Sequence, residues 1–197
     1  MKTTHCRSNG HHKRGRSGAP TSYAIQDADA LFDVLELRPG DTLADLGCGH
    51  GDYSLRAAQM IGPKGNVYAV DHWPGCAGAL EEQAREKGLD NLVCLTADIR
   101  KEIPLPDGSV SVCLLFTVLH AMGLSVLETQ FGKELHRILR AGSKVAILEL
   151  KKEEQPFGPP LSQRLAPDQV ETAFARQGFT RTSLTDLGFT YLMQLQN

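Results

Sequence analysis

Thr42-Leu43-Ala44-Asp45-Leu46-Gly47-Cys48-Gly49-His50-Gly51 runs from a short apolar strand into three alternating glycines, and a helical stretch follows at once over residues 50–61. Gly62-Pro63 supplies the stop signal for that helix. Glycines at 47, 49 and 51 bring the backbone close to whatever lies above the strand. In open α/β sheets ligands bind beyond the carboxyl ends of the strands, near the point where strand order reverses. A glycine-rich turn alone is weak evidence, because tight turns need glycine for steric reasons. Three carboxylates strengthen it: Asp45 precedes the first glycine, Asp71 ends the second strand and Asp98 follows the third.

Helix and strand patterns alternate on either side of this unit. Residues 24–37 carry Ile25, Ala28, Leu31, Phe32 and Leu35 at helical spacing and stop at Arg38-Pro39-Gly40. Strands are expected at 66–70, 92–96, 110–116 and 144–150, and helices at 75–87 and 124–139. The run at 110–116 is nearly all apolar, as a strand buried on both faces should be. Beyond a proline-containing loop at 155–160, Pro167 opens a helix at the position that tolerates proline. Residues 179–187 and 189–195 read as two strands joined at Gly188, which implies an antiparallel pair. The expected fold is therefore α/β: a Rossmann-like, doubly wound, seven-stranded sheet, mostly parallel, with a C-terminal antiparallel hairpin.

The bulk numbers fit one domain over 21–197 behind a basic arm at 1–20. The chain has 197 residues, 41% of them hydrophobic, and a formal net charge of −2, so it lacks the basic excess of a general nucleic-acid binder. The arm is poor in apolar side chains and should be flexible. Its His5, Cys6, His11 and His12 match no strong ligand spacing, and no metal is expected. The five cysteines are odd in number and none forms a CxxC pair, which favours reduced thiols and a cytoplasmic location. No apolar run is long enough to span a bilayer.

The glycine loop reads G-x-G-x-G, not the G-x-G-x-x-G of dinucleotide folds, and no P-loop sequence occurs. An NAD-dependent oxidoreductase is thus the competing enzyme class.

At this point the residues resemble a known family. DLGCGHGDYS (45–54) resembles motif I of class I S-adenosylmethionine-dependent methyltransferases, YAVD (68–71) their second-strand motif and TADI (96–99) their third. FTVLHAM (116–122) is similar to the fourth-strand segment of the branch containing ubiquinone and menaquinone methyltransferases. The resemblance implies the cofactor S-adenosyl-L-methionine, leaving as S-adenosyl-L-homocysteine, held by Asp45, Gly47, Cys48, Gly49, His50, Gly51, Asp71, His72, Asp98, Ile99 and Thr117. Asp45 would face the amino group, Asp71 the ribose hydroxyls and Asp98 the adenine amine. Ionised carboxylates only accept hydrogen bonds, which suits these donors. Thr117 would lie near the carboxylate and sulfonium. His50 and His72 would shape the pocket, and Trp73 would cover the adenine or pack in the core.

Methyl transfer asks the protein to align the acceptor, exclude water and, where needed, remove a proton. His120 is the candidate base; packing, or pairing with a nearby carbonyl, is the plainer role for it. The family's [DN]-P-P-[YF] sequence for amine acceptors is absent. A small-molecule acceptor is expected, with RNA or protein as the alternative. Gln163 and Arg164, beside the stiff Gly158-Pro159-Pro160 turn, either touch an acceptor or lie in a surface connection.

Overall fold

A computed structural model describes residues 21–197, with 75 and 76 by backbone alone. The basic arm and its His/Cys residues lie outside this range. The described chain opens on a 3-10 turn, Ser22–Ala24, followed by α1 (Ala28–Leu35), β1 (Thr42–Leu46), α2 (Asp52–Ile61), β2 (Asn66–Asp71), α3 (Pro74–Glu86) and β3 (Leu92–Thr96). Next come β4 (Val110–Phe116), α4 (Leu119–Met122), a 3-10 turn at Leu124–Glu128, α5 (Gln130–Ile138) and β5 (Leu139–Leu150). The chain then forms a 3-10 turn at Leu161–Gln163, α6 (Pro167–Ala175), β6 (Thr180–Leu187) and β7 (Thr190–Gln196).

The strands form one sheet in the order β3-β2-β1-β4-β5-β7-β6. Pairs among β1 to β5 are parallel. β7 runs antiparallel to both of its neighbours, so it lies inside the sheet and β6 forms the edge. Strand order reverses between β1 and β4, which are adjacent in the sheet but separated in sequence by β2 and β3.

Alternation along β4 explains its unbroken burial. Val112, Leu114 and Phe116 pack on the face covered by α1 and α2, whereas Cys113 and Leu115 face α5 and α6. Val110 joins the second group because the register with β5 slips between Val110 and Val112. Cys113 is a fully buried free thiol, and burial pushes its pKa up.

Three expected elements change, each for a local reason. The helix expected over 24–37 begins at Ala28, because Asp27 caps it by accepting from the Ala30 amide (3.1 Å). It ends where Glu36 turns left-handed (φ 50°). The helix expected over 124–139 is split. The Thr129 hydroxyl donates to the Val126 carbonyl, and the backbone at Thr129 is extended. Gly132 then lets α5 sit against the preceding turn, where a Cβ would fall 1.9 Å from the Leu127 oxygen. β5 starts at Leu139, five residues before the expected strand, through its pairing with Val110.

The loop after β5 is built around a buried cation. Arg164 is 4% exposed, and its guanidinium donates to the carbonyls of Pro159 (2.9 Å), Glu153 (2.5 Å), Phe157 (2.8 Å) and Lys151 (3.4 Å). The five fixed donors of arginine suit a ring of carbonyls in a way that a lysine ammonium does not. Arg164 is therefore a brace for the loop and does not reach outward to an acceptor. Replacing it with lysine leaves buried carbonyls unpaired, at about 2–3 kcal/mol. Arg164→Lys should lower the midpoint of thermal unfolding by roughly 5–10 °C; an unchanged midpoint in differential scanning calorimetry would contradict the bracing role.

Candidate active site

The glycine loop is pinned from below. Gly47 and Cys48 both donate their amides to the Val70 carbonyl of β2 (2.7 and 3.2 Å), and the Gly51 amide closes a turn on the Cys48 carbonyl (2.9 Å). Gly47 (φ 84°) and Gly51 (φ 76°) are left-handed, and each sits against a neighbour. A Cβ at 47 would fall 2.2 Å from Val118 Cγ2, and one at 51 would fall 2.4 Å from Leu80 Cδ2. Only a glycine meets both conditions at these positions. Gly51 also starts α2, whose first turn faces the loop.

Above the loop lies a cleft of about 230 Å³ at the carboxyl ends of β1 and β4. Asp45, Gly47, Cys48, Gly49, His50, Gly51 and Thr117 line it, so seven of the expected cofactor residues come together here. Asp45 is 1% exposed. One of its oxygens accepts from Ser54 Oγ (2.5 Å), and the other has no hydrogen-bond donor among the described residues. Burial is the main cause that pushes its pKa up to about 7; the Ser54 hydroxyl opposes the shift and nearby Asp71 adds to it. A buried, under-partnered carboxylate at the wall of a cleft is a receptor for a cation.

Asp71 stands beside this cleft with both oxygens engaged. It accepts from the Gly49 amide (3.0 Å) and the Trp73 amide (2.9 Å), with exposed His72 Nδ1 at 3.2 Å. A carboxylate has about four acceptor positions, so room remains for further donors. Asp71 and Trp73 line a small adjoining cavity with Cys48 and Thr96. Trp73 is half-buried and meets His50 edge-on, with ring centroids 6.0 Å apart.

Asp98 and Ile99 are not brought into the same cleft. Asp98 accepts from the Arg100 amide (3.1 Å) and from Arg100 Nε and Nη2 (both 2.9 Å). That guanidinium holds the carboxyl down, at about 2. Ile99 is 8% exposed and packs in the core. The Ala97 amide donates to the Asp71 carbonyl, which sets Asp98 on the Asp71 side of the sheet.

The other wall of the cleft comes from residues that the sequence did not single out: Thr21, Ser22 and Tyr23 ahead of α1, with Tyr53 and Phe116. Tyr53 meets Tyr23 and Phe116 edge-on (5.0 and 4.8 Å). Its hydroxyl accepts from Gln26 Nε2 and donates to Ser22 Oγ (3.2 Å), while Gln26 Oε1 accepts from Thr190 Oγ1 (2.9 Å). Ser22 and Thr117 hydroxyls lie 3.3 Å apart. Thr117 is left-handed (φ 54°), and its amide donates to the Leu148 carbonyl (2.7 Å). Asp27, the helix cap, was the available signal that residues 21–26 are separate from the helix.

His120 lies in α4, three residues beyond Thr117. Its Nδ1 lies 2.7 Å from Glu149 Oε2, and its amide donates to Glu149 Oε1 (3.2 Å). Glu149, on β5, is 1% exposed. The partner is thus a carboxylate and not a carbonyl, and it comes from a strand distant in sequence.

The raised pKa of Asp45 has a consequence for stability. The folded protein holds this proton to higher pH than the unfolded chain, so the group's contribution is fully present below about pH 4. It is lost as pH rises towards 7, on the order of a few kcal/mol. Thermal unfolding of the ligand-free protein should show a stability decline from pH 4 to 7 that flattens in Asp45→Asn. Equal slopes for the two proteins would contradict the assignment.

Residues 43–142 match a family model described as a methyltransferase domain. A demethylmenaquinone methyltransferase from Lactobacillus johnsonii is 28% identical over 129 residues, 64% of this chain and 51% of that protein. A 2-phytyl-1,4-naphtoquinone methyltransferase from Synechococcus elongatus is 27% identical over 126 residues, 64% of this chain and 52% of that protein. The chain thus spans about half the length of these relatives. The crystal structure of a SAM-dependent methyltransferase from Aquifex aeolicus superposes with a TM-score of 0.78 at 27% identity, covering 87% of this chain and 90% of that one. The chain belongs to the methyltransferase-domain family and has the class I fold of S-adenosylmethionine-dependent methyltransferases.

Proposed function

We propose that the protein binds S-adenosyl-L-methionine in the cleft over Gly47–Gly51 and transfers its methyl group to a small-molecule acceptor. The observation that carries this reading is Asp45: a buried carboxylate on the cleft wall with one oxygen that has no donor among the described residues. It fits the ammonium of the cofactor's methionine half. The cofactor supplies an electrophilic methyl group on a sulfonium.

The residues divide the remaining work. The cleft, about 230 Å³, is smaller than the ~300–1,000 Å³ of whole small-molecule sites, so it suits the amino-acid half alone. The nucleoside half would lie over Asp71, which has acceptor capacity for two ribose hydroxyls, with Trp73 and His72 at its border. Asp98 would meet the adenine amine only by sharing its oxygens with Arg100. Ser22, Tyr23 and Tyr53 exclude water from the methionine side. His120 would take the acceptor's proton. The names of the two quinone-methylating relatives support a reduced quinone or a similar aromatic diol as acceptor.

Calorimetric titration separates this reading from the dinucleotide one. The protein should bind S-adenosylmethionine and S-adenosylhomocysteine, and Asp71→Ala should weaken that binding roughly 10- to 100-fold through lost charge-assisted hydrogen bonds. Tight NAD binding with no response to the other two would reverse the assignment.

A further inference from the structure

Glu149 is the feature that the fold itself does not require. It is fully buried near the end of β5, where its strand neighbours Val145, Ile147 and Leu148 are buried and apolar. A buried carboxylate costs several kcal/mol unless its hydrogen bonds are made. Its cross-strand neighbour Tyr191 does not make them, because the Tyr191 hydroxyl donates to the Leu165 carbonyl (3.0 Å). Both oxygens of Glu149 instead meet one residue, His120: Oε1 accepts from its amide, and Oε2 lies 2.7 Å from its ring Nδ1.

This arrangement constrains the imidazole. A neutral imidazole carries one N–H, and which nitrogen holds it is set by the hydrogen bond the other atoms can make. Facing an acceptor-only carboxylate at 2.7 Å, Nδ1 is the nitrogen that must donate. Nε2 is then the acceptor, and among the described residues nothing hydrogen-bonds to it. The ring is 15% exposed, three residues beyond Thr117 on the cleft wall. A second donor from the His120 amide fixes the carboxylate as well as the ring, so the pair cannot rotate away together.

We infer that Glu149 is a positioning residue that keeps the His120 proton on Nδ1 and its Nε2 lone pair available, and that the acceptor of this site is therefore one that loses a proton on methylation, from a phenolic hydroxyl or an acidic ring carbon. The inference deepens the methyltransferase reading and rests on it for the acceptor class. The acceptor gains the methyl carbon and gives its proton to Nε2, while the electron pair of the broken carbon–sulfur bond stays on sulfur. The imidazolium formed is balanced by the Glu149 carboxylate. Acceptors without a removable proton, such as a thioether, have no use for this pair.

Long-range proton–nitrogen correlation spectra of the full chain, labelled with nitrogen-15 histidine, read the tautomer directly. His120, assigned by its loss in His120→Gln, should be the Nδ1–H form. In Glu149→Gln the preference should be lost, and Glu149→Asp should partly restore it. An Nε2–H tautomer in the unmodified protein, or no change in Glu149→Gln, would overturn the positioning role. A merely structural brace would not move this signal. Activity supplies the second measurement, with 1,4-naphthoquinol and dimethyl sulfide as probes. Glu149→Gln should lower kcat for the quinol roughly 10²-fold, with the KM for S-adenosylmethionine unchanged. Equal transfer to dimethyl sulfide would overturn the acceptor class. Failure of the cofactor reading shows separately, as absent S-adenosylmethionine binding, because the tautomer is read with or without cofactor.

Discussion

The single carbonyl of Val70 organises the upper side of this protein. Two successive amides, Gly47 and Cys48, converge on it and turn the chain out of β1 before it can continue as a strand. The floor of the cleft follows from that turn. Asp45 is left at the end of β1 with its side chain under the loop. Gly49 is delivered to Asp71, and Gly51 is placed to begin α2. A side chain at 47 or 51 would strike Val118 or Leu80, so the pinning also brings the segments after β4 and in α3 into contact with the loop. Backbone hydrogen bonding and steric exclusion thus shape the site before any charge is considered.

Electrostatics then gives the cleft its sign. Burial keeps Asp45 protonated to about pH 7 in the ligand-free protein. A cation entering the cleft would favour the ionised form, so binding and proton release are linked at this residue. Asp98 is the opposite case: its charge is already satisfied by Arg100 at the surface, and that pair weakens with salt. Two aspartates on the same side of the sheet therefore differ because one is enclosed and the other has a guanidinium beside it.

Much of this was legible in the sequence, and the reason is local. Strands β1 to β3 lie where apolar runs end at or just before glycine or aspartate, β4 is an unbroken apolar run, and the alternating glycines at 47, 49 and 51 line the cleft. What stayed hidden depends on tertiary contacts. The wall formed by Ser22, Tyr23 and Tyr53 joins segments whose link runs through Gln26 to Thr190, 164 residues away. Glu149 in the strand 139–150 looks like any isolated charge until β5 is laid beside β4 and His120 arrives. Arg164 looks like a surface residue until four carbonyls close around it. The division of residues 124–139 into two elements is set at Thr129, by an extended backbone and a hydroxyl bond to the Val126 carbonyl that no helical periodicity announces.

The placement of β7 between β5 and β6 has a consequence for how the protein comes into being. During synthesis β1 to β5 can assemble through right-handed crossovers as they emerge. β5 then presents its outer hydrogen-bonding edge, and that edge stays open while residues 151–189 are made. Only residues 190–196 can close it, by inserting against the direction of the other strands. A long apolar strand with an open edge is a template for pairing with other chains. For this fold the nascent chain is most vulnerable after most of its sheet has already formed, and the final seven-residue strand acts as its seal.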